Sequence, residues 1–420
     1  MKQIRKPELL VPASSLEVLK TAVIFGADAV YIGGEAYGLR AKAKNFTRRE
    51  MALGIDFAHK HGVKVHVTVN ILAHNYDLDG AREYLRELAG LKPDALIIAD
   101  PGIFTIAREE CPDIDIHIST QANNTNYMTY DFWYKQGAKR VVSARELSLE
   151  EIKEIREHIP EDMEIESFIH GAMCISYSGR CLLSNFLTGR DANRGECTHP
   201  CRWKYVLMEE TRPGEYMPVF ENERGTYIFN SGDLCMIEHI PEMIDAGIDS
   251  FKIEGRMKTA LYVATVSRTY RKAIDDYLES EEKYRSNMDL YRHEIAQCTY
   301  RRFTTGFYFG KPDKSTQIYD NSTYVKESVY LGMIEDKCGD GSVMTEQKNK
   351  FRKGDKIEVM KPDGRDMEVT VVSIKNEEGE EMDSAPHAKQ KLKLILDPPC
   401  AEMYDILRCG IQDTALRTEA

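Results

Sequence analysis

Short runs rich in Val, Ile and Ala recur at intervals of roughly thirty residues from residue 8 to residue 254, and each is followed by a segment with helical spacing of apolar residues. The candidate strands are Glu8 to Pro12, Ala29 to Gly33, Lys64 to Asn70, Ala95 to Asp100, Ile114 to Thr120, Arg140 to Ser143, Met163 to His170 and Ser250 to Glu254. Strands joined by helices run parallel, because the crossover helix returns the chain to the end of the sheet where it began. Eight such units predict an α/β fold of the closed (β/α)8 TIM type, with a doubly wound open sheet as the alternative. No G-x-G-x-x-G follows the first run, which counts against the dinucleotide-binding form of the open sheet.

Helix boundaries are marked in the same region. Ser14 to Glu17, Thr47 to Glu50 and Ser148 to Glu151 have the spacing in which a hydroxyl and a carboxylate satisfy the free donors of a first turn. Gly26, Gly62, Gly137 and Gly247 stand just before strands, where a left-handed helix end favours glycine. The last barrel helix is expected from Thr259 to about Leu278, with Leu261, Val263, Val266, Tyr270, Ala273 and Ile274 on its inner stripe. Residues 1–280 therefore read as the barrel domain, interrupted after the seventh strand by a cysteine-rich insertion at 171–235. Loops after barrel strands gather on the catalytic face, so the insertion is expected over the barrel mouth. Residues 281–324 read as a linker and connecting segment. Alternating strands with Gly-Asp turns at 325–412, such as Lys356 to Met360, Met367 to Ser373 and Lys391 to Leu396, predict a small C-terminal β-barrel, followed by a frayed tail at 413–420.

No run of about 18 apolar residues occurs, and the start MKQIRKPELLVPA lacks the apolar stretch of an export signal, so a cytoplasmic protein with no membrane contact is expected. In that compartment thiols stay reduced. Five of the ten cysteines, Cys174, Cys181, Cys197, Cys201 and Cys235, fall in the insertion, the first four spaced C-x6-C-x15-C-x3-C with glycines between them. An iron-sulfur cluster, zinc and inert thiols all stay open. The irregular spacing suits a cluster better than the paired knuckles of structural zinc. A formal net charge of −12 excludes coating of nucleic acid through the overall field, and any RNA partner requires a local basic face. Arg202-Trp-Lys-Tyr205 and Tyr300-Arg-Arg-Phe303 interleave cations with aromatic rings, as a surface stacking on unpaired bases does, although ordinary packing produces the same pattern.

The stretch Glu166-Ser-Phe-Ile-His-Gly-Ala-Met-Cys174-Ile-Ser-Tyr-Ser-Gly-Arg-Cys181-Leu-Leu-Ser184 resembles the signature of the collagenase-like peptidase family U-32, with every signature position filled. The segment from Asn193 through Cys197 and Cys201 to Tyr205, and Phe251-Lys-Ile-Glu-Gly-Arg256, also resemble family motifs. Within that family the resemblance is greatest to RNA-hydroxylating members. It implies oxygen-independent formation of 5-hydroxyuridine at the wobble position of tRNA, dependent on prephenate as co-substrate and on a 4Fe-4S cluster; the electron donor is left unspecified. Matching to the ubiquinone-pathway branch of the family implies the ligand set Cys174, Cys181, Cys197 and Cys235, with Cys201 as the alternate. The family's older association with proteolysis of collagen-like or small peptides is the second reading. Against it, the chain has neither H-E-x-x-H for zinc nor a G-x-S-x-G elbow.

A barrel collects its chemistry at strand C-termini. Polar residues there include Glu35, Asn70, Asp100, Ser119, Gln121, Asn123, Glu146, His170 and Glu254. His170, Glu254 and Arg256 are the catalytic candidates. An anionic dicarboxylate such as prephenate needs guanidinium forks, for which Arg40, Arg145 and Arg256 are the candidates; ion pairing with nearby glutamates is the plain alternative.

Overall fold

The computed structural model describes residues 5–39, 45–174, 179–203, 221–222, 225–226, 232–310 and 327–410. Arg40, Lys204, Tyr205 and the tail from residue 411 lie outside the described residues, as does the side chain of Arg202.

Strands β1 (Glu8–Pro12), β2 (Ala29–Gly33), β3 (Lys64–Val69), β4 (Ala95–Ile98), β5 (Asp115–Ile118), β6 (Arg140–Val142) and β7 (Glu164–Ala172) pair side by side in parallel and in chain order. After the insertion come β8 (Asp233–Cys235) and β9 (Ser250–Ile253). Strand β9 pairs in parallel with both β7 and β1, and this closes the eight-stranded barrel. Strand β8 is not part of the wall; it runs antiparallel to the upper end of β7 and carries β10 (Phe303–Thr304) on its other side.

The helices α1 (Leu16–Ile24), α2 (Arg48–Lys60), α3 (Asn75–Leu91), α4 (Pro101–Glu110), α5 (Tyr127–Lys135) and α6 (Leu149–His158) follow their strands. Their apolar stripes bury Leu19, Ile55, Leu85, Ile103, Trp133 and Ile152 against the outer face of the wall. The capping boxes at Thr47–Glu50 and Ser148–Glu151 are present, and the four glycines before strands all take positive φ. The expected Ser14–Glu17 box is not what forms. Ser15 caps α1, and the Glu17 carboxylate instead accepts from Tyr330 Oη at 2.6 Å and Lys348 Nζ at 2.8 Å in the C-terminal domain.

After α7 (Leu183–Thr188) in the insertion and α8 (Ile240–Asp245) behind β8, α9 runs Ala260–Glu279 and buries the stripe read from the sequence. Of the segment expected as connecting chain, residues 281–296 form two helices beside α9, and 311–324 lie outside the described residues. Ser280 caps α10 (Glu281–Ser286), and α11 (Met288–Ala296) follows, with Tyr284 and Tyr291 fully buried. Tyr291 Oη donates to Asp276 of α9 at 2.6 Å.

Six antiparallel strands form the separate C-terminal barrel: β11 (Ser328–Lys337), β12 (Val343–Glu346), β13 (Lys356–Met360), β14 (Met367–Lys375), β15 (Lys391–Asp397) and β16 (Ile406–Gly410), in the order β11-β12-β15-β14-β13-β16. It docks on α1 and α9. Arg268 of α9 forms a two-pronged pair with Asp366 at 2.6 and 2.9 Å and also reaches Glu294 and the carbonyl of Lys361. No described helix is long and apolar enough to cross a membrane.

The interior of the large barrel is charged. Arg140 on β6 reaches Glu8 on β1 at 2.5 Å, Glu164 at 2.8 Å and Glu166 at 3.0 Å, while Lys252 Nζ on β9 donates to Glu166 at 2.6 Å. Strands β1 and β6 are not neighbours, so the Arg140–Glu8 pair spans the interior. Burial alone would raise the Glu8 carboxyl, but Arg140 outweighs it and brings the group down to about 2. Desolvation pushes His66 and His170 down to about 4 and His117 well below the usual 6.5.

These shifts fix the sign of the acid response. A histidine held neutral in the fold but protonated in the unfolded chain removes stability as pH falls from 6.5 toward about 4. A depressed Glu8 adds a second loss between 4.5 and about 2. Urea unfolding at pH 7.5, 6.0 and 5.0 is expected to show stability declining with acid well above the carboxylate range, at up to about 1.4 kcal/mol per pH unit for each buried histidine. Equal stability at pH 7.5 and 5.0 would contradict the neutral buried histidines.

Candidate functional site

The insertion is fastened to the loops after β3 and β5. Gly179 has φ 72° and packs against the backbone carbonyl of Gln121 so closely that any Cβ would collide with it. Leu72 N donates to Asn193 O at 3.3 Å, and Asn193 Nδ2 donates to the carbonyl of Cys181 at 3.1 Å. Arg194 then grips Asp77, at the start of α3, with two parallel hydrogen bonds of 2.6 and 2.9 Å, and its guanidinium lies 5.1 Å from the Tyr76 ring centre. These ties hold the cysteine-bearing segment over the mouth of the barrel.

Under it, Arg145 follows β6. Its Nη1 donates to the carbonyl of Ala172, the last residue of β7, at 2.6 Å, and its guanidinium carbon sits 3.8 Å from the Phe168 ring centre. Lys252 approaches the same ring at 5.6 Å. Arg145 Nε is buried with no hydrogen-bond partner among the described residues, which leaves this guanidinium a donor to offer a ligand. Asn70 Nδ2 donates to Ser119 Oγ at 3.2 Å, and Asn70 Oδ1 accepts from Leu39 N, which ties the loop after β2 to the mouth.

Arg256 is differently employed. It is buried, donates to Thr68 Oγ1 at 2.9 Å and Asn45 Oδ1 at 3.1 Å, and also bonds the carbonyl of Leu39. The guanidinium lies flat on Gly33, where a Cβ would stand 2.5 to 2.6 Å from its atoms. That packing gives Arg256 a role in holding the β2 loop. Asp100 caps α4 through Gly102 N and Ile103 N. Glu254 binds by its backbone, donating from N to the carbonyl of His170 and accepting from Tyr262 Oη.

His170 is buried among Tyr262, Tyr270 and Phe303, with Tyr270 Oη 3.4 Å from its Nδ1. Desolvation keeps it neutral. Its Cα partner across the β7–β8 ladder is Cys235, whose sulfur lies 3.7 Å from Tyr270 Oη and whose thiol burial pushes up to about 11. Of the other insertion cysteines, Cys174 is exposed and Cys181, Cys197 and Cys201 are half-buried. Cys197 Sγ accepts the backbone N–H of His199 at 3.4 Å, the amide-to-sulfur bond that steadies a thiolate. Five cysteine thiols on a glycine-bent segment have the chemistry of a soft metal site, but among the described residues no three of their sulfurs lie within 4.8 Å of one another.

Phe168, Lys252, Arg194 and the interior histidines were not singled out from sequence. The signal for His66 and His117 was present: each is a polar residue at an inward position of an otherwise apolar strand, in Lys64-Val-His-Val-Thr-Val69 and Asp115-Ile-His-Ile118.

The tRNA hydroxylation protein P1 of Bacillus subtilis is 44% identical over 394 residues, covering 94% of this chain and 92% of its own length. The tRNA hydroxylation protein P of Escherichia coli is 38% identical, covering 91% of this chain and 92% of its own. An uncharacterized protease of Methanocaldococcus jannaschii is 44% identical, covering 73% of this chain and 74% of its own. The model of peptidase family U32 matches residues 14–318 and that of the peptidase family U32 C-terminal domain matches 326–408. By both the barrel and the C-terminal domain, the chain belongs to peptidase family U32.

Proposed function

We propose that the chain is an RNA-modifying hydroxylase that forms 5-hydroxyuridine at the wobble position of tRNA without oxygen, using prephenate and a 4Fe-4S cluster on the insertion. The observation that carries this reading is the cysteine-bearing segment fastened over a barrel mouth in which Arg145 keeps a buried donor with no partner among the described residues. Two relatives named tRNA hydroxylation proteins, aligned over 94% and 91% of the chain, support the substrate class.

Cys174, Cys181, Cys197 and Cys235 are the proposed cluster ligands, with Cys201 as the alternate; a bound cluster would supply one-electron transfer at the mouth. Arg145 would anchor a carboxylate of prephenate, with the Phe168 ring and the Lys252 ammonium beneath it. Asn70 and Ser119 would offer neutral hydrogen bonds on the facing side. The fixed hydrogen bonds of Arg145 and Asn70 hold these groups in place before the ligand arrives, and this preorganisation is where the protein contributes to the rate.

Peptidase activity by a cysteine nucleophile is the less favoured reading. It requires an accessible, readily ionised thiol. Cys235, the thiol held beside His170, is half-buried, and desolvation pushes its thiol up to about 11.

Mass spectrometry of tRNA nucleosides from cells with and without the chain tests the proposal. 5-Hydroxyuridine is expected to disappear with the chain and in Cys174→Ser and Cys181→Ser variants. Comparing Cys235→Ser with Cys201→Ser identifies the fourth ligand by loss of iron and sulfide. Normal modification in the Cys174→Ser variant, or peptide cleavage by iron-free protein, sinks the reading.

Arg145→Ala is expected to weaken prephenate binding about ten- to a hundredfold, the worth of one charge-assisted hydrogen bond. Arg145→Lys should restore little, because a point charge does not reproduce the fork. Calorimetric titration giving wild-type affinity for both would place the anion site elsewhere.

A further inference from the structure

Below the mouth, His66 of β3, His117 of β5 and Glu166 of β7 converge inside the barrel. One ligand atom from each lies within 4.8 Å of the other two. Their relative exposures are 1%, 3% and 0%, so no bulk water completes their hydrogen bonding. The two rings meet edge to face, with centres 4.7 Å apart and planes at 84°, and the Nδ1 atom of each is buried without a hydrogen-bond partner among the described residues.

Unpaired buried nitrogens are uncommon because the group loses its water and gains nothing in return. Here two occur side by side and next to a carboxylate. Around them, Glu8, Glu164 and Glu166 are paired with Arg140 and Lys252, and Glu164 also with Arg5. Lys252 and Arg140 already donate to the two oxygens of Glu166, at 2.6 and 3.0 Å. A carboxylate oxygen has a second lone pair, and such outer hydrogen bonds orient ligating carboxylates at metal centres.

We infer that His66, His117 and Glu166 form a binding site for one divalent transition-metal cation of the zinc or ferrous class, separate from the cysteines of the insertion. Two imidazoles and a carboxylate are a borderline-hard donor set that suits these ions and leaves coordination positions for water or a substrate oxygen. Metal–ligand bonds of about 2.0–2.2 Å set the donor atoms roughly 3–3.5 Å apart, so a present spacing of up to 4.8 Å closes by at most about 1.3–1.8 Å on binding. Burial disfavours protonation of both imidazoles and so keeps a lone pair on each ring for the metal.

Cobalt(II) is the probe, because its visible spectrum distinguishes nitrogen and oxygen ligands from thiolates. The full chain with all five insertion cysteines changed to Ser is stripped by chelator and titrated with Co2+. One equivalent is expected to bind, with d–d bands and no thiolate charge-transfer band, and His117→Ala or His66→Ala in that background should weaken it by more than about tenfold. Added Zn2+ should also raise the thermal midpoint of this protein. Should the five-Ser chain fail circular dichroism as a folded protein, the titration is run on the chelator-stripped wild-type chain, where the Co2+ absorption lost on His66→Ala or His117→Ala must be d–d bands without a thiolate band. No Co2+ uptake at millimolar concentration, or uptake unchanged in both His variants, overturns the site. Neither outcome depends on whether the cysteines hold a cluster.

Discussion

The Arg140 guanidinium is the hub on which the large barrel closes. It is buried where an uncompensated charge would be prohibitive, and it is tolerated because Glu8, Glu164 and Glu166 bring carboxylates to its edges from β1 and β7. Removing one partner strands the others, so the network commits β1, β6, β7 and β9 to a single register. That register gathers the loops after β2, β3, β5, β6 and β7 at one end. Without it, Arg145, Asn70 and the cysteine segment would have no common place to meet.

At that end two arginines do different work. Arg256 uses its fork to staple the β2 loop, and Gly33 is there because nothing larger fits beneath the guanidinium. Arg145 makes one backbone bond, stacks on Phe168 and keeps a donor in reserve. Among the described residues the insertion is tied to the barrel by ion pairing and backbone bonds. Leu182 and Phe186 on it stay 69% and 84% exposed, which leaves the segment accessible to a large partner. The proposed reaction needs that combination: a rigid, partly dry floor and a cover open to RNA.

Much of the architecture was legible in the chain because its signals are local. Eight apolar runs, the capping boxes at Thr47 and Ser148, and glycines at helix ends each act within a few residues, and the barrel follows from their repetition. Long-range pairing was not legible. Glu17 has the spacing of a capping residue but serves the C-terminal barrel through Tyr330 and Lys348, more than three hundred residues away. Residues 281–324 read as a linker and connecting segment, because in 281–296 surface charges outnumber the buried Tyr284 and Tyr291 that pin two short helices to α9. At the mouth, position at a strand end pointed to Arg145, Asn70 and Ser119 as candidates, but residue type alone could not separate a guanidinium with a spare donor from one that braces a loop. The inward histidines were passed over because a single polar residue in a buried strand resembles ordinary packing until its neighbours across the barrel are known.

The account stands on the insertion and the barrel mouth acting as one site. The Arg194–Asp77 pair is the tie most open to a clean test, since both side chains are charged and can be exchanged. Arg194→Glu places two carboxylates face to face and should detach the cover, with a sharp fall in 5-hydroxyuridine measured by mass spectrometry of cellular tRNA. Adding Asp77→Arg re-forms the pair in reverse and should recover most of the modification. Full modification in the Arg194→Glu variant alone would contradict the claim that the cover must be seated for the chemistry to occur.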